Sequence, residues 1–195
     1  DRVTPKTQHF LINVNIVSFL TPIFALKQVE RDVEFLRLTS LGVIGAMSKT
    51  RDPQVVKYLM DNDVLNICIV TIQHAAEISR VISLFTLSKL FSDNAALECV
   101  CENQQRIESM AKLLFKSIES TIMQKRDING RMVRYSIFCL SRMSDNPKAT
   151  VILHDLACDN KALFKEHLPE FIYTKEQFSR VKFEEFCRNI NFPTK

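Results

Sequence analysis

Apolar residues in this chain recur at helical spacing. Between positions 107 and 122, Ile107, Met110, Ala111, Leu114, Ile118 and Ile122 fall three and four residues apart. That spacing puts them on one face of a helix and predicts an amphipathic element over 107–122. Lys112, Lys116 and Glu119 fall on the remaining circumference. Three other stretches, 35–47, 78–91 and 132–143, are apolar around most of their circumference, the pattern of central helices sandwiched between neighbours. Glycine occurs only at Gly42, Gly45 and Gly130. Strands joined by tight turns need more glycine than that, so the pattern predicts an all-α protein.

The three central helices resemble one another. Ser40-Leu41-Gly42-Val43-Ile44 aligns with Ser83-Leu84-Phe85-Thr86-Leu87 and with Ser136-Ile137-Phe138-Cys139-Leu140, at offsets of 43 and 53 residues. Each is followed by a polar break and a new helix start, at Asp52-Pro53, Asp93-Asn94 and Asn146-Pro147. There a side-chain acceptor caps the next helix, and where proline follows, its backbone is preset for the first turn. Repeating punctuation at this period predicts an armadillo/HEAT-like helical repeat superhelix. Residues 1–158 are assigned to it. The segment 159–195 breaks the pattern with Pro169, Pro193 and a weak stripe of Phe178, Val181, Phe186 and Ile190, and is expected to be a divergent helical tail packing on or beyond the last repeat. Thr4-Pro5 repeats the same punctuation with no long helix before it, so the chain is expected to begin inside a repeat. Its first helices would then present an apolar face for preceding sequence, the tail, or a second copy in a homodimer.

Composition narrows the function classes. The chain has 195 residues, a net charge of +4 and 46% hydrophobic residues. No apolar run approaches the ~20 residues of a membrane span, so no membrane role is expected. Four of the six cysteines sit among aliphatic residues in helical patterns, where a thiol behaves as a small hydrophobe, and a reducing compartment is expected. Gly42-Val43-Ile44-Gly45 lacks the Lys-Ser/Thr of a phosphate loop. His9, His74, His154 and His167 lie far apart, and Cys99 and Cys101 are too close for a zinc knuckle. Neither a metal, a cofactor nor an enzyme activity is therefore expected.

Binding is the remaining class. Two glycines within one helix cost about 1 kcal/mol each relative to alanine, which calls for an offsetting close approach. A contact between two scaffold helices and a floor for an incoming peptide are both open, and Gly42 and Gly45 can divide them. Arg37, Arg80, Arg106, Lys112, Arg134, Arg142 and Lys148 fall at comparable places in successive repeats, so stacking could align some of them into a basic cleft for single-stranded RNA. A solvated charged face is the alternative, and no ladder of aromatic residues accompanies these charges.

The run from Glu34 to Ala46 with Lys49-Thr50 after it, together with Leu140-Ser141-Arg142-Met143-Ser144-Asp145-Asn146-Pro147, resembles the Rcd/Caf-forty cell-differentiation family over about residues 4–156. This family supplies the armadillo-repeat subunit, NOT subunit nine, of the CCR-NOT deadenylase complex. The resemblance implies a non-catalytic adaptor that docks on the NOT scaffold subunit and recruits regulator peptides from RNA-binding or silencing proteins during mRNA deadenylation and repression. It also implies a cytoplasmic setting with a nuclear share, and family helices preceding Thr4. A partner-peptide groove is implied at Phe35, Leu38, Gly42, Val81 and Ile82. A second pocket, reading tryptophan, is implied at Arg106 and Lys148, with Gln104 where the family has an aromatic residue and Ser109 where it has a histidine. A short insertion near 125–130 lies on that side.

Overall fold

The computed structural model describes residues 4–26, 30–49, 52–123 and 130–193. Among them every regular element is helical and there is no strand. The helices are α1 (Pro5–Asn13), α2 (Ile16–Ala25), α3 (Arg31–Met47), α4 (Pro53–Asp61), α5 (Val64–His74), α6 (Glu77–Leu90), α7 (Asn94–Val100), α8 (Gln104–Met123), α9 (Arg131–Met143), α10 (Pro147–Asp159), α11 (Leu168–Thr174) and α12 (Arg180–Asn189). The four predicted stretches are α3, α6, α8 and α9. The insertion at 125–129 lies outside the described residues.

The predicted punctuation forms as capping hydrogen bonds. Thr4 Oγ1 accepts from Thr7 N–H, Asp52 Oδ1 from Gln54 N–H, and Asn146 Oδ1 from Lys148 N–H. At the remaining start Asp93 Oδ1 accepts from both Ala95 and Ala96 N–H. Each cap satisfies amides that the helix itself leaves unpaired, worth about 1 kcal/mol apiece. Two other turns carry no proline signal. Asn15 and Asp63 start α2 and α5 with φ of 49° and 56°, a left-handed conformation that Asn and Asp tolerate better than most side chains.

The chain divides into two compact units, residues 1–96 and 97–195. In the first, α3 packs on α6 and α6 on α5, around Leu41, Ile44, Met47, Leu59, Ile72, Leu84 and Leu87. The first two helices join this core sparingly. Gln8 donates to Met47 O, and the Tyr58 hydroxyl accepts from Val17 N–H while donating to Asn15 Oδ1. Phe10 and Phe19 remain exposed, so the first helices do carry an uncovered apolar face.

In the second unit α8 packs on α9 and α10, and α12 lies along α9. Residues 160–193 are tied in by Phe164, a fully buried ring on a π-helical turn, which meets Phe115 edge-on at 4.6 Å and lies 5.9 Å from Phe186. Glu176 is buried and receives two bonds of 2.9 Å from Arg134 of α9. Within the second unit the packing partners of this segment are α8 and α9.

The repeat register appears in the burial pattern. Ser40, Ser83 and Ser136 are all buried at equivalent positions of α3, α6 and α9. Five residues further on, Gly45, Ser88 and Ser141 are also buried and small, as tight packing between helices requires. None of the six cysteines forms a disulfide. Burial pushes the thiols of Cys68 and Cys187 up to about 12 and that of Cys101 to about 11. Since the thiolate is the reactive species, iodoacetamide applied to the folded protein at pH 8 is expected to label half-buried Cys99 and Cys158 and to leave Cys68, Cys101, Cys139 and Cys187 unmodified until denaturant is added. Peptide mapping by mass spectrometry reads the result, and early labelling of Cys68 would contradict this packing.

Candidate peptide groove

Two contacts set the geometry between α3 and α6. Near the start of both helices, Ala76 N–H donates to Glu34 Oε2 at 3.3 Å. Glu34 also pairs with Arg37, whose other nitrogen donates to Leu26 O at 2.8 Å. Both side chains of this ion pair are largely buried, so it links the end of α2, the start of α3 and the start of α6 through groups that have few alternative partners. Further along, a Cβ placed on Gly45 would lie 3.3 Å from Thr86 Oγ1, 3.5 Å from Ile82 Cγ2 and 3.8 Å from Phe85 Cδ1. The two helices therefore run parallel, pinned at residues 34 and 76 and again at residues 45 and 82–86.

Between these two points both helices carry apolar side chains. Phe35, Leu38 and Gly42 follow one another at three and four residues on α3, and Ile78, Val81 and Ile82 do so on α6. Phe35 is 65% exposed and Ile78 is 61% exposed, while Leu38, Val81 and Ile82 are half-buried. α3 is apolar around most of its circumference, and its Phe35–Gly42 face is open. A Cβ on Gly42 would meet nothing within 4 Å. The two glycines do divide the roles that were open from sequence: Gly45 permits helix–helix contact and Gly42 faces open space.

Repeat register explains why this space exists. Gly42 of α3 corresponds to Phe85 of α6 and Phe138 of α9. Where its siblings present a benzyl group, the first repeat presents a hydrogen atom, and the backbone there is open to solvent. Phe35 and Leu38 correspond likewise to Ile78 and Val81 and to Arg131 and Arg134, so the apolar face becomes cationic in the third repeat. Ile78 and Phe85 were absent from the sequence-based set of groove residues. Their signal was present as positions three before and three or four after Val81 and Ile82.

The basic positions are largely neutralised within the fold. Arg106 pairs with Glu102 at 2.6 Å, Lys112 with Glu108 at 3.2 Å, Arg134 with Glu176 at 2.9 Å, and Arg142 with Asp145. Arg37 is buried in its pair with Glu34. Arg80 and Lys148 have no carboxylate partner among these ion pairs.

Arg106 and Lys148 occupy the first turns of α8 and α10, two helices that pack together, and both side chains are exposed. Arg106 also donates to Cys99 O. Gln104 donates to Glu108 Oε1 at 2.8 Å, and Ser109 is exposed, so neither supplies a stacking wall. Among the described residues no group of three or more His, Cys, Asp and Glu side chains could hold a metal ion, and no single helix is long and apolar enough to cross a membrane.

An all-helical chain whose central helices share one sequence register, each followed by a turn whose side chain caps the next helix, defines an all-α, armadillo-like repeat protein. The chain belongs to the Rcd1-like cell differentiation family, whose model matches residues 3–190 and so takes in most of the C-terminal segment that sequence set apart. It is similar to the cell differentiation protein rcd1 of Schizosaccharomyces pombe, with 32% identity over 146 residues, 74% of this chain and 50% of that protein. It is similar also to protein CAF40 of Saccharomyces cerevisiae, with 30% identity over 149 residues, 76% of this chain and 39% of that protein. The chain therefore spans half or less of the length of these curated relatives.

The two glycines should respond in opposite ways to a methyl group. Gly42→Ala is expected to stabilise the fold by about 0.5–1 kcal/mol, since it gains helix propensity and meets no neighbour. Gly45→Val is expected to cost about 1–3 kcal/mol by overpacking against Thr86 and Ile82. Urea denaturation midpoints at constant slope check both, and equal shifts would refute the division of roles.

Proposed function

We propose that this chain is a non-catalytic adaptor of the CCR-NOT deadenylase assembly. In this reading it docks on the NOT scaffold subunit and holds short helical peptides of mRNA regulators in the trough between α3 and α6. Family membership supports the setting. The observation that carries the peptide reading is the open backbone at Gly42 together with the exposed or half-exposed apolar side chains of Phe35, Leu38, Val81 and Ile82. An amphipathic helix is the natural occupant of such a trough, because aliphatic anchors spaced at three and four residues fill it while the polar face stays in water. Backbone can approach closely over Gly42, as no Cβ stands in the way.

Adaptor function requires no reacting group, and the trough offers none, being lined by hydrocarbon. Arg106 and Lys148 are retained as contacts for an anionic or polar edge of a partner. Tryptophan capture is left out of the proposal because Gln104 and Ser109 provide no ring. The chain would act in the cytoplasm, where deadenylation occurs, with a nuclear share.

Two variants test the trough. Leu38→Arg places a cation among apolar walls, and Gly42→Phe installs the ring that Phe85 and Phe138 carry in the sibling repeats, which their helices accommodate. Both are expected to lower the affinity for helical peptides with aliphatic anchors by at least about tenfold, or ~1.4 kcal/mol, in fluorescence anisotropy, with unchanged far-ultraviolet circular dichroism. Unaltered affinity in both would remove the trough from the binding surface. Co-purification with the helical domain of the NOT scaffold is expected to survive size-exclusion chromatography, and the isolated chain is expected to release no nucleotides from poly(A).

A further inference from the structure

The trough has a charged end. Lys49 leaves the turn just beyond α3, and Lys89 sits on the last turn of α6, one turn after Phe85. Their Nζ atoms lie 5.8 Å and 5.5 Å from the centroid of the Phe85 ring. Phe85 is half-buried and stands over the Gly45 contact that closes the trough floor. Attraction between ammonium groups and the ring draws both cations toward the trough mouth rather than back over the carbonyl ends of their own helices.

These lysines differ from Arg37 and Lys57 of the same unit, which are ion-paired. Among the described residues neither is within ion-pair distance of a carboxylate, while Arg37 of the same unit is paired with Glu34. Both lysine side chains are exposed and keep their ammonium donors available to a ligand. The opposite end of the trough is mixed in sign, with Arg31 and Asp32 on the first turn of α3 and Glu77 on that of α6. A peptide laid in the trough thus meets two uncompensated positive charges at one end only.

We propose that the occupant of the trough is an amphipathic helix with a cluster of carboxylates at one end, seated over Lys49 and Lys89. This rests on the trough being the peptide site. The apolar anchors supply the buried area, and the lysine pair fixes the direction in which the helix lies, since the reversed helix would leave its carboxylates beside Asp32 and Glu77.

A display library of helical 16-residue peptides, with aliphatic anchors fixed at three- and four-residue spacing and all other positions varied, tests the proposal on the full chain. Selected binders are expected to carry Asp or Glu clustered at one end. Lys49→Glu with Lys89→Glu is expected to weaken those binders about tenfold, and to bind better than the parent protein when the clustered carboxylates are exchanged for lysines. Thermal unfolding of the double variant should match that of the parent, as both side chains are exposed.

Binders with no acidic clustering, or with affinity unmoved by the reversal, would overturn the proposal while leaving the trough intact if Leu38→Arg still abolishes them. Binders insensitive to Leu38→Arg, or a failure to select any, would overturn the trough reading itself. A single-stranded 15-nucleotide oligomer is the rival anion. If it displaces the selected peptides and loses its own binding in the double lysine variant, the pair belongs to phosphate and not to a peptide.

Discussion

The close approach of α3 and α6 at Gly45 is the constraint on which the candidate site depends. A side chain there would push against Thr86, whose hydroxyl is already committed to Ile82 O at 2.9 Å, and against Ile82 and Phe85. With no Cβ in the way, the two helices approach closely at this point. The buried pair of Glu34 and Arg37 fixes the other end, and its partners on α2 and at the start of α6 leave the helices little freedom to slide. A groove of this kind is stable because its floor is packed like a core while only its upper walls are exposed.

Charge is handled in the opposite manner from apolar surface. Most of the basic residues that sequence suggested as a stripe pair with carboxylates three or four residues away in the chain, or with Glu176 across a helix contact. Pairs of that kind contribute little to stability when exposed. The apolar trough, by contrast, is left without a partner. Association through it would draw on burial of hydrocarbon, with charge setting direction more than strength.

Much of the scaffold was legible because it is written in local rules. Cap residues at Thr4, Asp52, Asp93 and Asn146 acted as predicted, since a side-chain acceptor beside the first turn depends only on the neighbouring few residues. The helical identity of α3, α6, α8 and α9 followed from spacing alone. Starts at Asn15 and Asp63 were missed, because a left-handed turn without proline leaves no comparable signal. The C-terminal segment read as irregular. Its integration depends on Phe164, Phe186 and Glu176, which find partners far away in the chain.

Sequence by itself determined the helical class, the repeat register, the absence of a phosphate loop or zinc knuckle, and the presence of two costly glycines. Those features are local or periodic, and period survives without coordinates. Tertiary structure decided which glycine packs and which stands open, that Arg134 is held by Glu176, and that the start of α6 is tied to Glu34. Such outcomes depend on distances between residues some forty positions apart, and those distances exist only once the helices have docked.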